Sequence, residues 1–392
     1  MEEMGLFLAD EQDFVVLKED LDPQYRAYLR DLGVHGGAVL CPEESEPARR
    51  ITEDVLASPR LIDRLRALAD GNTYLLPLGV SAREEVLSEL TGLPLAAPGA
   101  EACEAVNSKV FSRAIVDRTG LRQVPGASCF DLDEVEAAIA EHLLPGGRVA
   151  VKEAMGVSGR GMVVVDDLSR AQRLIAMMRK RSTTTDLVVE RWIDKTIDIS
   201  YQFVVDRTGT VSFESVKAAV AGPGVHSCNR FPVDLPAPVL DEIRHAADVI
   251  GAELFRHGYF GAAGVDAVLS SDGHLYPCLE INARFNMGHY QNAMAEQLPP
   301  PHAAAEVGAL DIALDAPQTF GEFIAPVRDL LMSVGERCGV VITNFATVNA
   351  GAADGQMFRG RVGVLCAGRD AADAAALRAE FAQRLTPGGV PA

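Results

Sequence analysis

Short β-branched apolar runs alternate with amphipathic stretches along the first hundred residues. "FVVLKE" (14–19), "GAVLCPEE" (37–44) and "TYLLPLGVS" (73–81) read as strands. "EPARRITEDVLASPRLIDRLRALADG" (46–71) carries helical spacing up to Gly71, and "SAREEVLSELTG" (81–92) does the same up to Gly92. Such βα alternation predicts a small parallel sheet covered by helices over residues 1–105. No GxGxxG occurs there, so the expectation is a structural domain that frames a substrate.

The texture changes at about 106. "NSKVFSRAIVDRTG" predicts a helix capped by Asn107 or Ser108 and stopped by Gly120. Three strands ("QVPGASCF", "GRVAVKEA", "GMVVVDD") and two helices ("LDEVEAAIAEHLL", "LSRAQRLIAMMRKRS") lead to the strand "DLVVERWID". The longer strands "IDISYQFVVD" and "VSFESVKAAV" follow, then the helix "APVLDEIRHAADVIGAELFRHG". A hairpin spans "FGAAGVDAVLSSDGHLYPCLEINARFNMG" (260–288). Beyond 311 come a helix over "FGEFIAPVRDLLMSVG", the apolar "GVVITNF", and a last strand and helix, "RVGVLCAGRD" and "AADAAALRAEFAQRL". The expected division is 1–105, 106–310 and 311–392, with a lid subdomain at about 146–195. The class is α/β in the first and last parts and α+β in the middle.

A length of 392 residues fits two or three domains, and 48% hydrophobic with 23% charged residues is ordinary for a globular chain. A net charge of −19 argues against a nucleic-acid face, which needs clustered cations. The acidic start has too short an apolar stretch for a signal peptide, and no run approaches a membrane span. Cysteines 41, 103, 129, 228, 278, 338 and 366 are never spaced CxxC, which predicts free thiols in a reducing cytoplasm.

"VAVKEAMGVSGRGMVVVDD" (149–167) places Lys152 ahead of Gly156, Ser158, Gly159 and Gly161. The loop lacks the Walker lysine and runs into a strand, not a helix, so it is neither a P-loop nor a dinucleotide fingerprint. Kinases put the glycine loop before the lysine strand, the reverse of the order here. A hairpin folding its N–H groups over phosphates fits; so, on the loop alone, does a surface turn. Glu190 ends an apolar strand, where the following main chain, through Ile193, can offer N–H and C=O groups to an adenine edge. Trp192 suits a partly buried core position as well as stacking, and Asp198 suits ribose as well as exposed strand.

Asp266 lies on one strand of the 260–288 hairpin and Glu280 and Asn282 on the other. Side chains two apart share a face, so Glu280 and Asn282 point together, and a bulge near Pro277 brings Asp266 opposite them. Two carboxylates and an amide oxygen are hard ligands suited to Mg²⁺ holding phosphate oxygens. Arg284 has the same parity and adds a cation beside them. Charged residues inside the apolar run "CLEINARF" are costly unless paired or metal-bound.

This order of motifs, over about 106–300, resembles the ATP-grasp ligases. The resemblance implies an ATP-grasp fold with an N-terminal parallel pre-ATP-grasp domain and a small C-terminal extension. It implies ATP with Mg²⁺ or Mn²⁺ as cofactors, held by Lys109 and Lys152 on phosphates, with Gly156, Ser158, Gly159 and Gly161 as the lid. Glu190, Trp192 and Ile193 would be the adenine hinge and Asp198 the ribose acid. Lys217 would add a nucleotide contact, and Asp266, Glu280 and Asn282 would be the metal ligands. Arg284 and Lys152 would be catalytic. The implied reaction joins a carboxylate, activated as an acyl phosphate, to an amine, as in peptide and specialised-metabolite ligases. Two alternatives remain: a carboxylate–thiol ligase loading an acyl carrier protein, docked on the basic "RLIAMMRKR", and a non-catalytic nucleotide-binding module. Expected partners are a small-molecule carboxylate and amine, or that carrier protein, with a homodimer as the assembly and neither nucleic acid nor membrane. Lys217 and Arg230 suit a phosphate or substrate carboxylate as well as solvated surface, and His226 and His289 suit an acceptor pocket as well as structural positions.

Overall fold

The first two strands, β1 (Phe14–Val16) and β2 (Ala38–Leu40), pair in parallel across α1 (Pro23–Asp31). The computed structural model describes residues 2–155, 161–180, 186–222, 225–297, 304–352 and 357–385. The single helix expected over 46–71 is two, α2 (Ile51–Leu56) and α3 (Pro59–Arg66), because Pro59 lacks the N–H that would continue α2 and starts a new helix at its first position. The strand expected at 73–81 does not form. Only Leu75 makes a bridge, to Leu95; Pro77 cannot donate to a ladder, and the segment is a loop. Helix α4 (Ala82–Thr91) starts as its sequence predicts, with Ser81 and Glu84 forming a capping box and Gly92 closing it at φ +74°.

Next come α5 (Ala100–Val106) and α6 (Lys109–Thr119), the latter capped by Ser108, whose hydroxyl accepts from the Phe111 N–H. A four-stranded antiparallel sheet follows in the order β3 (Gly126–Cys129), β6 (Leu187–Arg191), β4 (Val149–Glu153), β5 (Met162–Val165). It is backed by α7 (Leu132–His142) and α8 (Leu168–Lys180), over a core that includes Val135, Ile139, Val151, Leu174 and Val189.

The largest sheet has eight antiparallel strands: β11 (Leu275–Asn282), β10 (Gly261–Ser270), β7 (Lys195–Val205), β8 (Val211–Gly222), β9 (Val225–Phe231), β12 (Ala304–Leu314), β14 (Phe358–Gly368) and β13 (Gly339–Asn344). Helices α9 (Ala237–Arg256) and α10 (Met287–Gln297) lie between its strands in sequence. The helix expected over 320–335 is only α11 (Phe320–Ile324) followed by a 3-10 turn, Pro326 removing a helical donor. Helix α12 (Ala371–Leu385) closes the chain. The strands after 304 do not form a layer of their own: β12 pairs with β9 and so continues the central sheet. They also share a core with the start of the chain, where Met4, Tyr25 and Leu29 pack with Phe320, Val341 and Phe345. All seven cysteines are free, and among the described residues no helix is long and apolar enough to cross a membrane.

Candidate active site

One face of the large sheet gathers the chemistry. Directly opposed residues share a face, so Glu280, Asp266, Ser200 and Lys217 form one row across four strands. Asn282, Gly264, Gln202 and Ser215 form the next row. The register shift that sets this parity falls between Asp266 and Val268, opposite the stretch holding Pro277, where the sequence suggests a bulge. Asn282 Nδ2 lies 3.4 Å from Asp266 Oδ2, and Arg284 donates to Asn282 Oδ1 at 2.8 Å. Lys109 holds Glu280 Oε1 at 2.9 Å.

No group of three or more His, Cys, Asp and Glu side chains among the described residues is placed to hold a metal. The expected set needs none, since it has two carboxylates and an amide, with phosphate oxygens completing the shell. It fits a cation: Glu280 and Asp266 face each other without an intervening strand, and Glu280 already draws an ammonium.

The second group sits on the four-stranded sheet. Lys152 donates to Glu190 Oε2 at 2.6 Å. Its strand turns back through Gly161, whose carbonyl accepts from the Glu153 N–H and whose φ is +77°, so β4 and β5 form the hairpin expected around the glycine loop. Gly156, Ser158 and Gly159 lie outside the described residues. Past Glu190, the Arg191 and Trp192 N–H groups donate to Pro125 and Arg148, whereas the Ile193 main chain makes no hydrogen bond among the described residues. That leaves Ile193 able to offer its edge to a base. The Trp192 ring lies 5.2 Å from the Arg148 guanidinium carbon and 5.8 Å from Lys195 Nζ. Asp198, on the Asp266 face, is held by Lys195 at 2.6 Å.

Helix α6 joins the two groups. Lys109 at its first turn reaches Glu280, its N–H donates to the Ala154 carbonyl at the end of β4, and Ser112 Oγ accepts from the Ile281 N–H. Four residues beyond Lys109, buried Arg113 donates to Glu190 Oε1, the Val124 and Gly126 carbonyls and Gln123 Oε1. Glu190 is therefore clamped between two cations. Sequence reasoning missed Arg113; the signal available was a guanidinium one helical turn from Lys109, on the same face. Asn107 was considered only as a cap, yet its side chain accepts from the Ala283 N–H and donates to the Ala283 carbonyl, pinning the end of β11.

Lys217 is 1% exposed and gives its protons to Gln202 Oε1, Ser215 Oγ and Asn292 Oδ1. Burial lowers its pKa to about 7. It is neither solvated surface nor an open nucleotide contact. Arg230 is excluded from the site: it lies opposite Ala218, in the alternate row with Ile199 and Ala267, and pairs with Glu306 at 2.6 Å on the other face. His289 is buried within the polar face. The side chain of His226 lies outside the described residues.

Two cations, a clamped acid and a hairpin carboxylate pair on facing α+β units define the ATP-grasp class of nucleotide-binding proteins. Residues 108–308 match the family described as carbamoyl-phosphate synthase L chain, ATP binding domain, and the chain belongs to that family. Residues 1–93 match the pre ATP-grasp domain. A [butirosin acyl-carrier protein]–L-glutamate ligase of Niallia circulans is 26% identical over 241 residues, 60% of this chain and 57% of the ligase. The alpha3 subunit of a biotin-dependent acyl-coenzyme A carboxylase of Mycobacterium leprae is 30% identical over 213 residues, 50% of this chain and 33% of that subunit. The chain thus spans little more than half the length of the first and a third of the second. Among solved structures, a biotin carboxylase complex from Campylobacter jejuni aligns with a TM-score of 0.64 at 16% identity, covering 95% of this chain and 86% of that one. An N5-carboxyaminoimidazole synthase from Aspergillus clavatus aligns at 0.57 and 13%, covering 96% and 99%. These likenesses show the fold.

Proposed function

We propose that this chain is an ATP-dependent carboxylate–amine ligase. The observation that carries the reading is the Asp266–Glu280 pair, with Asn282 and Arg284 on the same hairpin and Lys109 and Lys152 converging from two other elements. A Mg²⁺ ion held by Asp266, Glu280 and Asn282 would neutralise phosphate charge and orient the oxygens. Lys109 and Lys152 bind the phosphates of ATP, Ile193 presents its main-chain edge to adenine, and the β4–β5 hairpin lies over the phosphates. A substrate carboxylate attacks the terminal phosphoryl group, ADP leaves, and an acyl phosphate results. Arg284 stabilises the charge that moves in this step. An amine then attacks the acyl carbon and phosphate departs. Keeping water out protects the acyl phosphate from hydrolysis.

The ligase from Niallia circulans supports acyl activation by a chain of this kind and raises a carrier protein as the acceptor. The basic patch proposed for that partner is weakly suited to it. Arg173, Arg179 and Lys180 are exposed on α8, but Arg179 is already paired with Asp133 at 2.6 Å. The amine reading therefore leads.

The test screens amino acids as paired donors and acceptors with ATP and Mg²⁺. ADP and phosphate are expected; AMP and pyrophosphate would overturn the acyl-phosphate route.

A further inference from the structure

Behind the Asn282 row, the chain after β11 crosses the sheet closely. A Cβ on Gly264 would fall 1.7 Å from the Asn286 amide nitrogen, and one on Gly288 would fall 2.4 Å from the Gln202 amide. The two glycines leave room for these side chains, and the start of α10 lies over β7 and β8. The result is a second polar cluster, made of Glu214, Lys217, His289 and Asn292, which neither phosphate binding nor the metal set uses.

His289 is 4% exposed. Its Nδ1 edge is held by Asn286, lying 3.2 Å from the backbone nitrogen and 3.0 Å from Oδ1. Nε2 faces Glu214 Oε2 at 3.7 Å. Lys217 spends its donors on three neutral oxygens and forms no ion pair with a carboxylate among the described residues. Glu214 is the member solvent reaches, its side chain being 36% exposed. Desolvation raises the Glu214 pKa, against the opposing effects of Lys217 and Asn292, as expected of a carboxylate short of a cation. Glu296, on the exposed side of α10, adds a second negative charge that Glu214 feels. Lys217, titrating at about 7, only partly offsets these two acids at neutral pH.

We propose that Glu214 is the subsite for the ammonium group of the acceptor amine, backed by the buried His289 ring and fixed by Asn292. This rests on the ligase reading above. An amine arrives protonated and cannot attack an acyl phosphate in that form. Glu214 takes one proton: an N–H bond breaks, a carboxyl O–H forms, and the freed nitrogen lone pair attacks the acyl carbon. The C–O bond to phosphorus-bound oxygen then breaks, phosphate leaves with that electron pair, and the second nitrogen proton goes to the departing phosphate. A thiol acceptor carries no ammonium for this carboxylate to pair with.

The test separates activation from transfer. Wild-type protein, Glu214→Gln and the neighbouring Glu296→Gln are given ATP, Mg²⁺ and each proteinogenic amino acid as donor. One arm uses hydroxylamine, a neutral nucleophile that traps acyl phosphate as hydroxamate. The other uses the same amino acids as acceptors. Glu214→Gln is expected to keep hydroxamate formation within about 2-fold and to lose about 10²-fold in kcat/KM for the amine, as removal of a general base does. Glu296→Gln is expected to change neither by more than about 3-fold. Equal amide and hydroxamate rates in Glu214→Gln, or parallel loss of both, overturn the assignment. If wild-type protein gives no hydroxamate with any donor, the ligase reading itself falls, whatever the variant does.

Discussion

Single side chains here separate binding from chemistry. Arg284 lies against Asn282 and makes no ion pair with a carboxylate among the described residues, so in the proposed reaction its charge is available to the transferring group. Arg284→Ala is expected to lower turnover by about 10²- to 10³-fold with little change in ATP affinity, read by steady-state kinetics beside calorimetry. Arg113 is the opposite case. It touches no part of the proposed reaction, yet it fixes Glu190 and two carbonyls near the proposed base edge. Arg113→Met should cost about 2–4 kcal/mol of stability, because buried acceptors are left unpaired, and should raise the Kd for ATP. Denaturant melts and ATP titration check both; unchanged ATP affinity would confine Arg113 to a structural role. His289 gives a pH signature. Burial lowers its pKa to about 4, so below the ordinary value near 6.5 the unfolded chain takes up a proton that the folded chain refuses. Stability is therefore lost as pH falls from about 6.5 towards 4. His289→Gln should remove about 2 kcal/mol of the loss between pH 6.5 and 5, measured as the wild-type minus variant difference in urea unfolding.

At the scale of elements, the glycine hairpin shows what local sequence conveys well. Lys152, the turn and the run "MVVV" have the strand–loop–strand spacing that the β4–β5 ladder displays, and Gly161 holds a left-handed φ. A Cβ at Gly161 would meet Glu153 Oε2 at 2.5 Å. Gly161→Val should thus distort the hairpin and collapse turnover, while the melting temperature drops only a few degrees, because Gly161 itself belongs to no core cluster. Normal turnover in that variant would return the loop to an ordinary surface turn. The helix α6 and the 260–288 hairpin were legible for the same reason: caps, glycine stops and two-residue alternation are local signals. The breaks were less so. Pro59 and Pro77 were visible, but strong apolar spacing around them suggested a continuous helix and a strand, and the missing N–H decided both cases. The pairing of β9 with β12 went unread because the two strands lie far apart along the chain, and it is a property of the sheet rather than of either sequence. Arg113 went unread because its worth depends on Glu190, 77 residues away.

Across the whole molecule, one sheet serves two purposes toward its two edges. The strands with Glu280, Asp266 and Gln202 gather polar side chains on one face, and the strands toward the other edge, β12, β14 and β13, share a core with the first residues of the chain. Sequence suggested a separate C-terminal unit because "GVVITNF" and "RVGVLCAGRD" look like any β-then-α element, and nothing local says which edge they join. The seam at β9 and β12 is tied by Arg230 and Glu306, the latter 3% exposed, on the face turned away from Asp266. Removing one partner strands a buried charge, so Arg230→Met should destabilise by about 3 kcal/mol, whereas pairing it with Glu306→Gln should recover part of the loss. Because the pair lies behind the sheet, neither variant should alter the Kd for ATP while folded. Urea melts and ATP titration of the two single variants and the double variant test this together. A large loss of ATP affinity in folded Arg230→Met would mean that the seam sets the geometry of the nucleotide face, and the two faces would no longer be independent.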